Sequence, residues 1–199
     1  MELSLVLSIS LFAITTSITP GPNNTILLAT GLIFGFKKAW PFLMGIMLGM
    51  TGMLTVSGLG LSAVFHTFPL AFQVLKYVGF AYLIYIAWNI TRSSGIKGSQ
   101  SLQKPLGLWQ ATGAQWLNPK AWIVVPTFVA SYVPVGSGFL TVVLCYFIFL
   151  AVTLPGAMVW AAFGQGLRKL FKNERQRTIF NWAMAILLVA SMFPVIFFS

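Results

Sequence analysis

Two short segments of this chain set prolines beside asparagines in the middle of apolar stretches. The first is Pro20-Gly21-Pro22-Asn23-Asn24, in a run with no charge between Glu2 and Lys37. The second is Gln115-Trp116-Leu117-Asn118-Pro119-Lys120. Proline has no N–H to donate and frees a carbonyl one turn back in a helix. A half-helix that restarts at Asn23 or Asn24 would present unpaired N–H groups and a positive dipole end. Asn suits the cap and Pro22 the neighbourhood of a helix start. Such an end attracts carboxylates. Lys120 adds a full positive charge, while Asn118 and the released carbonyls can accept hydrogen bonds from an ammonium group. Together these groups suit a small zwitterion. The alternative for either segment is a proline kink that serves helix contacts alone.

The groups that are missing narrow the chemistry further. No Asp or Glu falls inside any predicted span, which argues against a carboxylate proton relay and against a counter-ion for a cationic side chain. A metal site wants imidazole, thiolate or oxygen ligands, and the chain offers only His66, near an outer edge. Ser and Thr are plentiful, but no conventional base is placed to activate one as a nucleophile. Neither an enzyme, nor a metal, nor a cofactor is expected. Lys76 is most simply an anchor that snorkels to the surface. The single Cys145 excludes an internal disulfide and any Cys-x-x-Cys motif, and its expected role is core filling.

The elements that must hold these residues are membrane helices. The 199 residues are 58% hydrophobic and only 7% charged, with a mean hydropathy of +0.88. A soluble domain carries about 25% charged residues. The net charge of +10 comes from twelve basic residues against Glu2 and Glu174. Those charges sit in the gaps between apolar segments, a topology signal rather than a nucleic-acid surface. The first apolar stretch opens with Glu2 and no Lys or Arg, so it reads as a retained membrane segment and not a signal peptide.

The expected fold is all-α, with six spans at 3–34, 42–64, 71–91, 107–132, 139–163 and 178–198. The first and fourth are broken by their Pro/Asn motifs. A span needs about 20 residues, so 3–34 is one broken, tilted helix with an overhanging end. Lys37 and Lys38 follow span one; Arg92, Lys97 and Lys104 follow span three; Arg168 to Arg177 follow span five. Lys and Arg mark the cytoplasmic side, which puts both termini outside. The Arg168 to Arg177 cluster could also meet anionic lipid heads. Trp40, Trp88, Trp109 and Trp182 fall at the same boundaries, where indoles favour the interface. A polar linker at 92–106 divides a first three-helix repeat (1–91) from a second (107–199). Three spans is an odd number, so the second repeat inserts upside down, the inverted-repeat plan of many transporters.

Depth sharpens the reading of Lys120. At about 1.5 Å per residue it lies some 15–20 Å from the cytoplasmic end of its span. A lysine there costs at least about 3 kcal/mol if it faces lipid, so it should face a wet interior or an anionic ligand. Gly45, Gly49 and Gly52 form one smooth face of span two, where small residues let helices approach closely in lipid. They are expected to serve tight static packing rather than a sliding or gating contact. Tyr82, Tyr85 and Gln110 could line a cavity.

The chain resembles the LysE/RhtB superfamily of bacterial amino-acid exporters over nearly its whole length. Thr19-Pro20-Gly21-Pro22-Asn23 resembles the signature of the first helix, followed by Gly35, Lys37, Gly45 and Gly49. Lys76 to Tyr85 resembles the third helix, and Leu117-Asn118-Pro119-Lys120-Ala121 the second signature. Ala39 stands where many relatives have glycine. The resemblance implies an inner-membrane secondary exporter of amino acids or close derivatives, with membrane lipids around it and no cofactor. The missing membrane carboxylates favour a neutral substrate of the cysteine/O-acetylserine, homoserine, threonine or leucine class over lysine or arginine. The alternative is a non-transporting membrane assembly subunit. Six thin helices make a small body, which allows a homodimer.

Overall fold

The computed structural model describes residues 2–60, 69–92, 104–134, 136–170, 173–191 and 193. Within them the chain forms eight helices: α1 (Leu3–Ile18), α2 (Pro22–Phe34), α3 (Phe36–Gly58), α4 (Pro69–Arg92), α5 (Leu108–Trp116), α6 (Pro119–Tyr132), α7 (Phe139–Leu170) and α8 (Glu174–Ala190). His66 and most of the 92–106 linker lie outside the described residues.

Both Pro/Asn motifs break a helix. The α1–α2 pair is apolar enough to be one span and bends by 60° at its break. The fourth predicted span divides into α5 and α6 at Leu117 and Asn118. By length and apolarity α3 and the Phe139–Arg168 part of α7 each suffice to cross a bilayer. The other helices correspond in place to the remaining predicted spans.

Four boundaries differ from the hydropathy reading. Span two begins at Phe36 rather than at residue 42, and its helix ends at Gly58. The cause is Gly35: its φ of 88° ends α2 and lets α3 start at the next residue, a conformation that favours glycine. Lys37 and Lys38 therefore sit in the first turn of α3 with exposed side chains. Span five runs on to Leu170. Span six starts early, at Glu174, because Asn173 caps it by accepting the Gln176 N–H at 2.9 Å.

Glycines decide which helices touch. A Cβ on Gly31 would overlap the Ala161 carbonyl, and one on Gly164 the Leu28 carbonyl, so α2 and α7 lie backbone to backbone. Gly45, Gly49 and Gly52 turn the same kind of face to α5, meeting Leu108, Gln115 and Trp116. Gly79 of α4 lies against Leu117 and Pro119. The result is a crossed arrangement. The broken pair α1–α2 runs along α7, the broken pair α5–α6 runs along α3, and α4 pairs with α8. Leu27, Phe42, Leu43, Met53, Val125 and Phe149 are among the fully buried side chains between them. Lys76 does not snorkel. Its side chain is only 6% exposed, because α4 brings it inside the bundle one turn from Gly79. Trp40, Trp88, Trp109 and Trp182 are all exposed.

Candidate functional site

At the first break α1 stops at Ile18 and the chain runs extended through Thr19 and Gly21. The cap of α2 is Gly21, not Asn23 or Asn24, because Pro22 already takes the first helical position. No side chain caps α2, so the positive end of its dipole is left open. Asn24 is buried and points backwards. Its Nδ2 donates to the Ser17 carbonyl at 2.7 Å and to the Thr19 carbonyl at 3.0 Å. Trp160 Nε1 of α7 donates to the same Ser17 oxygen at 3.0 Å. Asn24 thus closes the end of α1 rather than opening α2.

The second break repeats the arrangement. Asn118 caps α6, its Oδ1 accepting the Lys120 N–H at 3.1 Å, and Pro119 is the first helical residue. Asn118 therefore spends this acceptor on its own helix. Trp122 Nε1 donates to the Trp116 carbonyl at 2.8 Å, which satisfies the end of α5.

The two breaks are also tied across to each other. Lys120 Nζ donates to the carbonyls of Thr19 at 3.0 Å, Thr16 at 3.3 Å and Pro20 at 3.4 Å. In the other direction, Asn23 Nδ2 donates to Gln115 Oε1 at 2.5 Å, in the last turn of α5. An ammonium on the carbonyl end of α1 complements the negative pole of that helix. Gly21 makes this approach possible: a Cβ there would lie 2.9 Å from Lys120 Cδ and 3.1 Å from Nζ.

Between the breaks lies a cavity of about 60 Å³, well above the roughly 15 Å³ that one water needs. Gly21, Pro22, Asn23, Asn24, Asn118 and Lys120 all line it. Pro20 contributes its carbonyl to Lys120 but is itself exposed, and Pro119 is buried beside Gly79. Gly45, Gly49 and Gly52 lie outside the lining, on the α3–α5 contact. Four polar residues beyond the expected ones join the wall: Thr16, Ser17, Gln115 and Thr153. Gln115 stood within the second motif, but nothing local marks Thr16 or Thr153. The wall has two helix starts, one ammonium and no carboxylate, so it favours a carboxylate ligand. Thr16 Oγ1 already donates to the Phe12 carbonyl at 2.8 Å, which leaves it an acceptor for an ammonium group.

Two larger recesses flank the cavity at opposite ends of the bundle. One, of about 670 Å³, opens at the basic end, where Tyr82, Tyr85, Asn89, Lys104 and Gln110 line it. It also reaches Ile26, one turn beyond Asn23. The other, of about 610 Å³, lies at the opposite end beside Glu2, Ser8 and Tyr132. A layer of aromatic rings separates this second recess from the cavity. Phe12 lies one turn from Ser8 and one turn from Thr16. Phe128 stands midway between Val124 of the cavity wall and Tyr132, and Phe149 precedes Thr153 by one turn. The Phe128 and Phe149 rings stack at 4.2 Å, and Phe12 meets Tyr132 at 5.1 Å.

Residues 14–195 match the family described as LysE type translocator. A cysteine/O-acetylserine efflux protein of Klebsiella pneumoniae is 29% identical over 193 residues, 95% of each chain. Proteins of the same description from Salmonella choleraesuis and Escherichia coli are 29% identical over 180 residues, 89% of this chain and 90% of theirs. No solved structure matches the chain.

Proposed function

The chain belongs to the LysE type translocator family, and from that premise we propose that it exports a small neutral amino acid, or a close derivative, across the bacterial inner membrane. The observation that carries this reading is the single cavity onto which both helix breaks open. The substrate carboxylate meets the starts of α2 and α6 and the charge of Lys120. The substrate ammonium turns toward Thr16. The similarity to cysteine/O-acetylserine efflux proteins points to the same substrate size.

The crossed helix contacts support a pseudo-two-fold relation between 1–91 and 107–199. The second span of each repeat packs along the broken first span of the other, and the third spans pair. Rocking of these halves alternates access. In the inward-open state the substrate enters from the basic, cytoplasmic recess past Asn23 and Gln115. In the outward-open state the rings of Phe12, Phe128 and Phe149 part, and the substrate leaves between the outer ends of α1 and α6. Both termini face outward, and Gly21, Pro22, Asn23, Asn118 and Lys120 form the site, with Pro20, Asn24 and Pro119 holding the two breaks in shape.

Uptake of labelled amino acids into inverted vesicles, with and without a proton gradient, tests this function. The expected result is accumulation by the wild type and its loss in Lys120→Ala and Asn23→Ala at normal expression. Undiminished accumulation by both variants would remove the site, and no accumulation of any amino acid by the wild type would remove the function.

A further inference from the structure

Helical Thr side chains in this protein usually return their proton to their own helix. Thr16 donates to Phe12, Thr51 to Met47, Thr55 to Thr51 and Thr112 to Leu108, each four residues back, a habit common to hydroxyls in helices. Thr153 of α7 does not. Its Oγ1 is buried and makes no hydrogen bond, although the residue is only 6% exposed and lines the central cavity. Gln115 of α5, fully buried, lines the same cavity. Its Oε1 is taken by Asn23, but its Nε2 has no partner. A buried polar group without a partner is expensive, and two in one small cavity point to a ligand that completes them.

Resting on the export reading, we propose that Gln115 Nε2 and Thr153 Oγ1 form a specificity pair that recognises a hydrogen-bonding side chain on the transported zwitterion. The class is an amino acid whose side chain ends, within a few heavy atoms, in a hydroxyl, thiol or ester carbonyl. The Gln115 amide donates to that atom, and the Thr153 hydroxyl either donates or accepts, so the pair takes all three. The carboxylate is already accounted for by the helix starts and Lys120, and the ammonium by Thr16. The pair is left for the one remaining polar part of the substrate. An aliphatic side chain of equal size would bury both groups unpaired, and a site built this way rejects such a ligand far better than a plain apolar pocket could.

The test measures uptake of labelled serine, cysteine, O-acetylserine and 2-aminobutyrate into inverted vesicles. In 2-aminobutyrate a methyl group replaces the hydroxyl of serine. The wild type should accumulate at least one of the three polar substrates more than about tenfold faster than 2-aminobutyrate. Thr153→Val, which keeps the side-chain shape, should bring that ratio close to one, and Thr153→Ser should restore it. Retention of the wild-type ratio by Thr153→Val, or equal uptake of polar and aliphatic substrates by the wild type, would overturn the specificity pair and leave the export reading standing. Failure of the wild type to accumulate any of the four would overturn the export reading and the pair with it.

Discussion

Lys120 Nζ lies 3.0 Å from the carbonyl oxygen of Thr19, a residue 101 positions earlier in the chain. With Thr16 and Pro20, Thr19 gives the ammonium three carbonyl acceptors at the end of α1. The same side chain borders the cavity. One residue thereby joins the stability of the first break to the charge of the site. Lys120→Met should lower export by about tenfold or more, equivalent to roughly 1.4 kcal/mol. It should also lower stability by about 1–3 kcal/mol, since the Thr16 and Pro20 carbonyls lose the Lys120 donor and Thr19 keeps only that of Asn24. Efflux assays and thermal unfolding of the purified protein check the two effects. Unchanged export would disprove a role for the charge.

Asn24→Ala separates the structural part of that effect. Its amide serves only the Ser17 and Thr19 carbonyls. The substitution should cost about 1–3 kcal/mol of stability and lower export mainly through protein level. Export per folded molecule should stay within a few-fold of the wild type, as measured by transport normalised to detergent-soluble monodisperse protein.

Gly21→Ala does the reverse. The φ of −173° at Gly21 is extended backbone that alanine also adopts. The cost is therefore steric, and it falls on the flexible end of Lys120, 2.9–3.1 Å away. The expected outcome is a smaller loss of melting temperature than in Lys120→Met, with export reduced toward that of the same variant. Wild-type export by this variant would mean that the position of Nζ does not matter.

Helix contacts give a paired test. Gly31→Ala and Gly164→Ala each drive a methyl into a facing carbonyl, so each should destabilise by about 1–3 kcal/mol. Gly113→Ala is the control. It lies in α5 with nothing within 4 Å of the added Cβ, and should be neutral or stabilising by about 0.5–1 kcal/mol. Thermal unfolding of the three variants side by side decides the matter.

The ring layer predicts an accessibility change. In a Cys145→Ala background, a cysteine introduced as Thr16→Cys should resist a membrane-impermeant thiol reagent added from outside. Adding Phe12→Ala should speed its labelling several-fold. Equal labelling with and without the Phe12 ring would show that these rings do not close the outer route.

Much of this architecture was legible in the chain because its signals are local. Proline and asparagine inside an apolar run mark a broken helix wherever that helix goes, and the depth expected of Lys120 pointed it toward an interior, where it lines the cavity. Local signals failed where a partner decides the outcome. Asn24 looks like a cap for the helix that follows it, yet its amide serves the helix that precedes it, because Pro22 had already fixed the start. Lys76 reads as an anchor until α4 is seen to carry it inward. Thr153 has no motif at all: its place on the cavity wall exists only because α7 crosses both halves of the first broken span. The ring layer likewise draws on Phe12, Phe128 and Phe149 from three helices that hydropathy cannot bring together.

Lys120 is, in effect, a tethered amine resting where the backbone of the first span is bare. A carrier of the proposed kind must reset after each delivery with nothing aboard. Its own lysine occupies the exposed oxygens when the site holds no ligand, so on the proposed reading the return stroke would not carry bare carbonyls through the membrane.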